Sequence, residues 1–350
     1  MDCDYIERSV KYRMGSWHSS SFEANRFPWQ LIEQKKYVSR GGNKRYLHWI
    51  DRWKDLGINE NIGLVLDSQD AFFYADFVNT EQYSMLPHKR QKPVGSHNRN
   101  KSNNRSIIFP IKKQLSDCNF SKIKDPYVFK NKLDDVVWRG KFTGRPLDPN
   151  HKKSNWYHGS CPPDHYINYA RYQAVSRWGK IFNIKFIPDF LALFNNKSYN
   201  EIIASEEFDR FSENSKIIID NFYQTAIQND MFGNYLDFEK EFCKYKYILN
   251  IDGHDSSSGI IHALQSNSVM ISPQPQWHIH VNFELEAWKH YVPIADNLSD
   301  LDKKVEWCRE NQIESKKISM RASEYISQFT IDSEKQIEKN IFKTLNQNAQ

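Results

Sequence analysis

Short apolar runs that end in turn residues, spaced by stretches with helical periodicity, constrain this chain more than anything else in it. Ile62-Gly63-Leu64-Val65-Leu66 runs into Asp67-Ser68-Gln69-Asp70, Val136-Val137-Trp138 into Arg139-Gly140, and Tyr245 to Ile251 into Asp252-Gly253, while Ser268 to Ile271 and Tyr291 to Ile294 are two more such runs. Runs of this length read as buried strands, and their alternation with helices reads as an α/β fold. Between them, Lys44 to Leu56 sets Leu47, Ile50, Trp53 and Leu56 on one helical face, with Gly57 as the stop. Asp164 to Trp178 has helical spacing, and Phe186 to Leu193 and Ile217 to Ile219 are further apolar segments. Ser299 and Asp302 form a capping box for a helix carrying Leu301, Val305 and Cys308, and further helices cover 313–329 and 333–345. Neither a repeat period nor a sustained heptad is present, which sets aside solenoids and coiled coils.

A chain of 350 residues has room for two domains and a cleft, and the polar stretch ahead of Val136 places a boundary near residue 130. The net charge of +5 is a mild bias that by itself gives weak attraction to polyanions. Aromatic residues at 14% supply either a core or a platform for sugars and bases. Cys3, Cys118, Cys161, Cys243 and Cys308 are scattered, which suits a reducing compartment, and no apolar run approaches the roughly 20 residues of a membrane span. The start lacks a basic and apolar leader, so a cytoplasmic protein is expected, with peripheral attachment to the inner face of a membrane left open.

Three places offer chemistry. Asp67 and Asp70 lie where the first strand ends, the usual side for ligands in an open sheet, although carboxylates there also form Asx turns. His88 to Arg105 holds six Lys or Arg, two His and no acid, and reads as an exposed loop or lid that meets phosphates or an anionic glycan, or has no specific duty. No helix-turn-helix, zinc or aromatic-sheet pattern surrounds it, so no specific nucleic acid is expected. Third, Asp252-Gly253-His254-Asp255-Ser256-Ser257-Ser258-Gly259 is a flexible turn whose amides and hydroxyls suit phosphate or ribose oxygens, or simply a surface turn. His254, His278 and His280 lack the spacing of a zinc set, and no metal site is expected.

Trp138-Arg139-Gly140, the segment KYKYILNIDG from Lys244 to Gly253, Ser268-Val269-Met270, Trp288-Lys289-His290-Tyr291-Val292-Pro293 and Leu298-Ser299-Asp300-Leu301 occur in this order. In that combination the chain resembles glycosyltransferase family 90, the CAP10-like group of protein O-glucosyltransferases and capsule or lipopolysaccharide sugar transferases. The resemblance covers 138–301 directly. It implies a GT-B fold, two facing Rossmann-like domains: 1–130 on the acceptor side, 131–330 binding the nucleotide sugar, and 331–350 a helix crossing back onto the first domain. It also implies metal-independent, inverting transfer of a sugar, glucose or xylose, from a UDP-sugar, which is a donor substrate and not a cofactor.

Carried onto this sequence, the resemblance makes Asp70 the base that takes the acceptor proton, with Asp67 the runner-up. It places Arg139, Gly140, Lys141 and Arg145 at the departing diphosphate, and Asp252, Gly253, His254, Ser257 and Ser258 around the donor loop. Two positions depart from the family pattern: Gly259 stands where an arginine contacts the pyrophosphate, and Ser272 where a lysine is common. Lys246, Arg145 or His254 would then have to compensate. The expected partners are a nucleotide sugar and a glycan or lipid-linked glycan acceptor, a lipopolysaccharide or capsule precursor. The alternative is a non-catalytic polysaccharide- or nucleic-acid-binding protein on the same fold, favoured by the missing cation at Gly259.

Overall fold

The structure is a computed structural model that describes residues 3–15, 45–58, 65–66, 94–96, 99–100, 106–110, 125–142, 169–187, 199–209, 212–253, 256–257 and 259–348. Its centre is a five-stranded, wholly parallel sheet. The strands are β5 (Leu133–Gly140), β6 (Asn183–Phe186), β7 (Tyr245–Leu249), β8 (Val269–Pro273) and β10 (Val292–Ile294), in the spatial order β10-β8-β7-β5-β6. Side chains alternate across it as the pleat requires. Val136 and Trp138 of β5, Tyr247 and Leu249 of β7, and Val269 and Ile271 of β8 join one core cluster, while Val137, Ile248 and Met270 join another. Both faces are therefore covered, which is why these strands read as continuous apolar runs.

Helices α3 (Ala170–Trp178), α6 (Glu213–Gln228) and α8 (Leu301–Glu310) cover the first face; α7 (Gly259–Gln265) packs on the second. Helix α9 (Gln312–Ile326) serves both, since Ile318 joins the first cluster and Ala322, Tyr325 and Ile326 the second. Two short helices, α4 (Tyr199–Ile203) and α5 (Glu206–Asp209), precede α6. The segment Ile217 to Ile219 is part of α6, with Ile219 fully buried and Ile217 exposed. The expected capping box before α8 does not form: Asp300 occupies the cap without a capping bond, and its Oδ1 accepts instead from the Ala295 amide at 2.8 Å.

Upstream, α1 (Cys3–Met14), α2 (Arg45–Asp55) and a second parallel sheet, β1 (Val65–Leu66), β2 (Val94–Ser96) and β4 (Ser106–Ile108) in the order β1-β2-β4, account for the described residues. Helix α2 ends at Gly57, whose φ of +69° favours glycine. The basic stretch 88–105 departs from the expected loop. It contributes the central strand β2, and β3 (Arg99–Asn100) pairs antiparallel with β9 (Trp277–His278) from the far end of the chain. Two backbone ladders thus hold a segment that has almost no apolar side chains to anchor it.

The last helix, α10 (Ile331–Asn348), lies against α1. Ile337, Ile341, Phe342 and Leu345 share a core with Tyr5, Val10, Trp49, Trp53 and Phe109. Inside that apolar seam, Arg13 donates to both Glu334 oxygens at 2.6 and 2.7 Å, with both side chains buried, and Arg52 pairs with Glu338. Burial pushes the Glu334 carboxyl up, but Arg13, with smaller contributions from His280 and Arg52, outweighs it and holds it below the usual range.

Candidate functional site

From β5 the chain passes to β6 on one side and later returns to β7 on the other, so the order of winding reverses between β5 and β7. Carboxyl ends of strands part at such a point and leave a crevice suited to a ligand. A cavity of about 370 Å³ lies there, walled by Trp138 to Lys141 at the end of β5 and Ile248 to Asn250 at the end of β7. Phe238, Phe242 and Ile187 add apolar groups to its lining, and Arg171, Ser257 and Gly259 complete it.

Arg171, in the first turn of α3, donates to the Lys141 carbonyl at 3.1 Å and the Ile251 carbonyl at 3.0 Å, tying together the ends of the two strands that diverge. Its guanidinium lies 5.6 Å from the Trp138 ring centroid. The sequence reading missed this residue because it weighed only the apolar spacing of 164–178. A signal was present: a cation in the first turn opposes the helix dipole, so it points to a role outside the helix.

Of the residues expected at the donor, Arg139 and Gly140 line the cavity but serve the fold. Arg139 is half-buried, its pKa lowered chiefly by that burial, and its guanidinium donates to the carbonyls of Trp138, Asn183 and Asn234 and to Asn183 Oδ1, all within 3.0 Å. Gly140 is required because the Trp138 indole folds back over it: a Cβ would lie 2.5 Å from Trp138 Cζ2. The Arg-Gly pair thus lines the cavity with the Arg139 guanidinium already bonded to the main chain and Gly140 packed under the indole. Lys141 does stand in the wall. Lys246 does not: it lies near the amino end of β7, bonded to Gln312 Oε1 at 2.9 Å and facing Asp134, at the opposite end of the strand.

In the loop after β7 the Asp252 carboxylate is held by two main-chain amides. Oδ1 accepts from the Ser257 amide at 3.1 Å and Oδ2 from the Gln276 amide at 3.3 Å. Ser257 Oγ accepts from the Gly259 amide at 3.2 Å, which caps α7. Asp252 therefore shapes the loop, and Ser257 is the hydroxyl that reaches the cavity wall; Gly253 is buried between them in sequence. Among the described residues, a Cβ on Gly259 would meet nothing nearer than Ser257 Oγ at 3.4 Å, an ordinary van der Waals contact. Asp67, Asp70, Arg145, His254 and Ser258 lie outside the described residues.

Of the described histidines, His278, His280 and His290 are held within the fold. His290 Nδ1 accepts from the Glu286 amide at 3.0 Å, its ring stacks on Tyr325 at 4.6 Å, and burial followed by the charge of Lys289 depresses its pKa to about 4. Burial takes His280 down to about 3, and His278 Nδ1 pairs with the Tyr12 hydroxyl at 2.8 Å. Among the described residues no group of three or more His, Cys, Asp or Glu is placed to hold a metal ion, and no helix is long and apolar enough to cross a membrane.

The carboxyl-terminal part of this structure carries α7, β7, β8, β10 and the loop of Asp252, and it is here that the chain matches known proteins. Residues 217–350 match the model of glycosyl transferase family 90. The Trp-Arg-Gly at 138–140 lies upstream of the family 90 match, whereas the Lys244 to Gly253 and Trp288 to Pro293 blocks lie within it. Human protein O-glucosyltransferase 3 is 42% identical over 79 residues, 23% of this chain and 16% of that protein. Zebrafish (Danio rerio) protein O-glucosyltransferase 2 is 33% identical over 85 residues, 24% of this chain and 17% of that protein. The matched stretch thus spans about a sixth of the length of these curated relatives. A solved structure described as a glycosyltransferase from Rickettsia africae aligns over 92% of this chain and 88% of that one, at 10% identity and a TM-score of 0.41.

Proposed function

We propose that the chain is an inverting glycosyltransferase that binds a UDP-sugar in the crevice between β5 and β7 and passes the sugar to a hydroxyl acceptor. The observation that carries this is the placement of that crevice. A cavity at the reversal point of a parallel sheet, lined by Arg171, Lys141 and Ser257 together with Phe238 and Phe242, suits an anionic diphosphate joined to a flat base. The family 90 match lends the activity its class.

In this reading the GT-B plan holds: 1–130 form the acceptor side, 131–330 the donor side, and α10 ties them. Asp70, or Asp67, takes the acceptor proton while the sugar is attacked opposite the leaving diphosphate, whose charge Arg171 and Lys141 offset without a metal. Glucose or xylose is the sugar, and a lipopolysaccharide or capsule precursor on the cytoplasmic side of a membrane is the acceptor. The names of the relatives favour a second acceptor, a protein hydroxyl.

Calorimetry with UDP, UDP-glucose and UDP-xylose tests the donor half of the proposal, and Arg171→Met should weaken the best of them at least tenfold. Failure of the folded wild-type protein to bind any of the three would sink the donor assignment. Transfer assays with glycan and protein acceptors then separate the two acceptor readings.

A further inference from the structure

One buried acceptor in the cavity wall is left without a donor. Asn250 follows β7 directly, is 4% exposed and lines the crevice. Its amide is oriented by a neighbour on the next strand. Ser272 Oγ donates its only proton to the Pro273 carbonyl at 2.8 Å, so toward Asn250 it can only accept, and it receives the Asn250 Nδ2 at 3.1 Å. With the NH₂ turned toward β8, Oδ1 is fixed on the other side of the amide, and among the described residues it has no hydrogen-bond partner. A buried carbonyl oxygen left unpaired has lost its hydration without replacement, a cost that a ligand donor would remove.

We propose that Asn250 Oδ1 is a specificity-determining acceptor that reads a hydroxyl of the bound nucleotide sugar, a proposal that rests on the donor reading of this crevice. A diphosphate offers no donor, and uracil offers only its N3–H, whose loss would weaken all three uridine ligands alike. The groups left to face Asn250 are hydroxyls, either of the ribose or of the transferred sugar. Ser272 acts through Asn250 as a positioning residue: it fixes which end of the amide faces the ligand.

Calorimetry with UDP, 2′,3′-dideoxy-UDP and UDP-glucose, on the wild-type, Asn250→Leu and Ser272→Ala proteins, distinguishes the outcomes. If the ribose is read, wild type prefers UDP over the dideoxy analogue about tenfold and Asn250→Leu erases that preference. If the transferred sugar is read, Asn250→Leu leaves UDP unchanged and binds UDP-glucose about tenfold more weakly. Ser272→Ala, which frees the amide to turn, shows a smaller loss of the same kind. Variants with wild-type melting temperature that keep every affinity, or lose all three equally, overturn the proposal. Should Asn250→Leu fail to fold, unchanged discrimination in Ser272→Ala overturns it alone. A wild-type protein that binds none of the three removes the donor reading itself, and this proposal with it.

Discussion

Gly140 and Gly259 show how differently two glycines of one cavity are used. At Gly140 an added methyl group meets the Trp138 indole, so Gly140→Ala should destabilise the protein by about 1–3 kcal/mol, read as a lower thermal midpoint. At Gly259 the nearest contact among the described residues is an ordinary one, and Gly259→Arg should fold normally and tighten UDP binding about tenfold in calorimetry, because it adds a cation to the cavity lining. Equal affinity for UDP before and after that change would show that the crevice has no use for a further charge. His290 makes a third case. Its folded-state pKa of about 4 lies below the ordinary value of 6.5, so the unfolded chain binds the extra proton between those values. Stability attributable to His290 is therefore complete above pH 6.5 and lost as pH falls toward 4. In thermal melts across that range His290→Gln should show a shallower fall than wild type. Residue roles were the least legible part of the sequence: Arg139 and Gly140 stand where motif reading put them, but their partners are main-chain carbonyls and an indole ring, which no motif displays. Arg171 belongs to none of the quoted motifs, and Asn250 lies within the Lys244 to Gly253 segment without having been singled out; the folded cavity brings both to one wall.

Four strands of the five-stranded sheet were legible because burial on both faces leaves no room for polar residues, as Val136 to Trp138, Tyr247 to Leu249 and Val269 to Ile271 show, whereas the edge strand β6, where Asn183 and Lys185 alternate with buried Ile184 and Phe186, was not read. The strands within the basic stretch were not, since β2 and β3 are held by backbone bonds and their sequence carries little apolar pattern. Helix α2 was read correctly as an element, although its described buried residues are Trp49 and Trp53, a pair four apart whose rings stack 6.2 Å from each other. At this scale Asp252 joins the loop before α7 to the approach to β9 through its two oxygens. Asp252→Ala should release both, and hydrogen exchange at the Ser257 and Gln276 amides should rise together while the strands of the sheet stay protected. Faster exchange at one amide alone would separate the two segments.

Across the whole molecule, the bilobal reading finds its described physical links in α10 and in the β3–β9 ladder. The buried Arg13–Glu334 pair gives the helix seam a sharp test. Arg13→Met alone leaves Glu334 uncompensated and should cost about 3–5 kcal/mol in denaturant unfolding, whereas Arg13→Met combined with Glu334→Leu should recover most of it. A double variant as unstable as the single one would mean that the pair contributes more than the packing that replaces it. The seam also sets an order of events during synthesis. Trp49, Trp53 and Phe109 leave the ribosome long before Ile337, Ile341 and Phe342, the residues that bury them. At roughly 5–20 residues per second the nascent chain carries that uncovered aromatic surface for many seconds, so Trp49, Trp53 and Phe109 depend for their solubility on whatever shields them until Ile337 to Phe342 have been made.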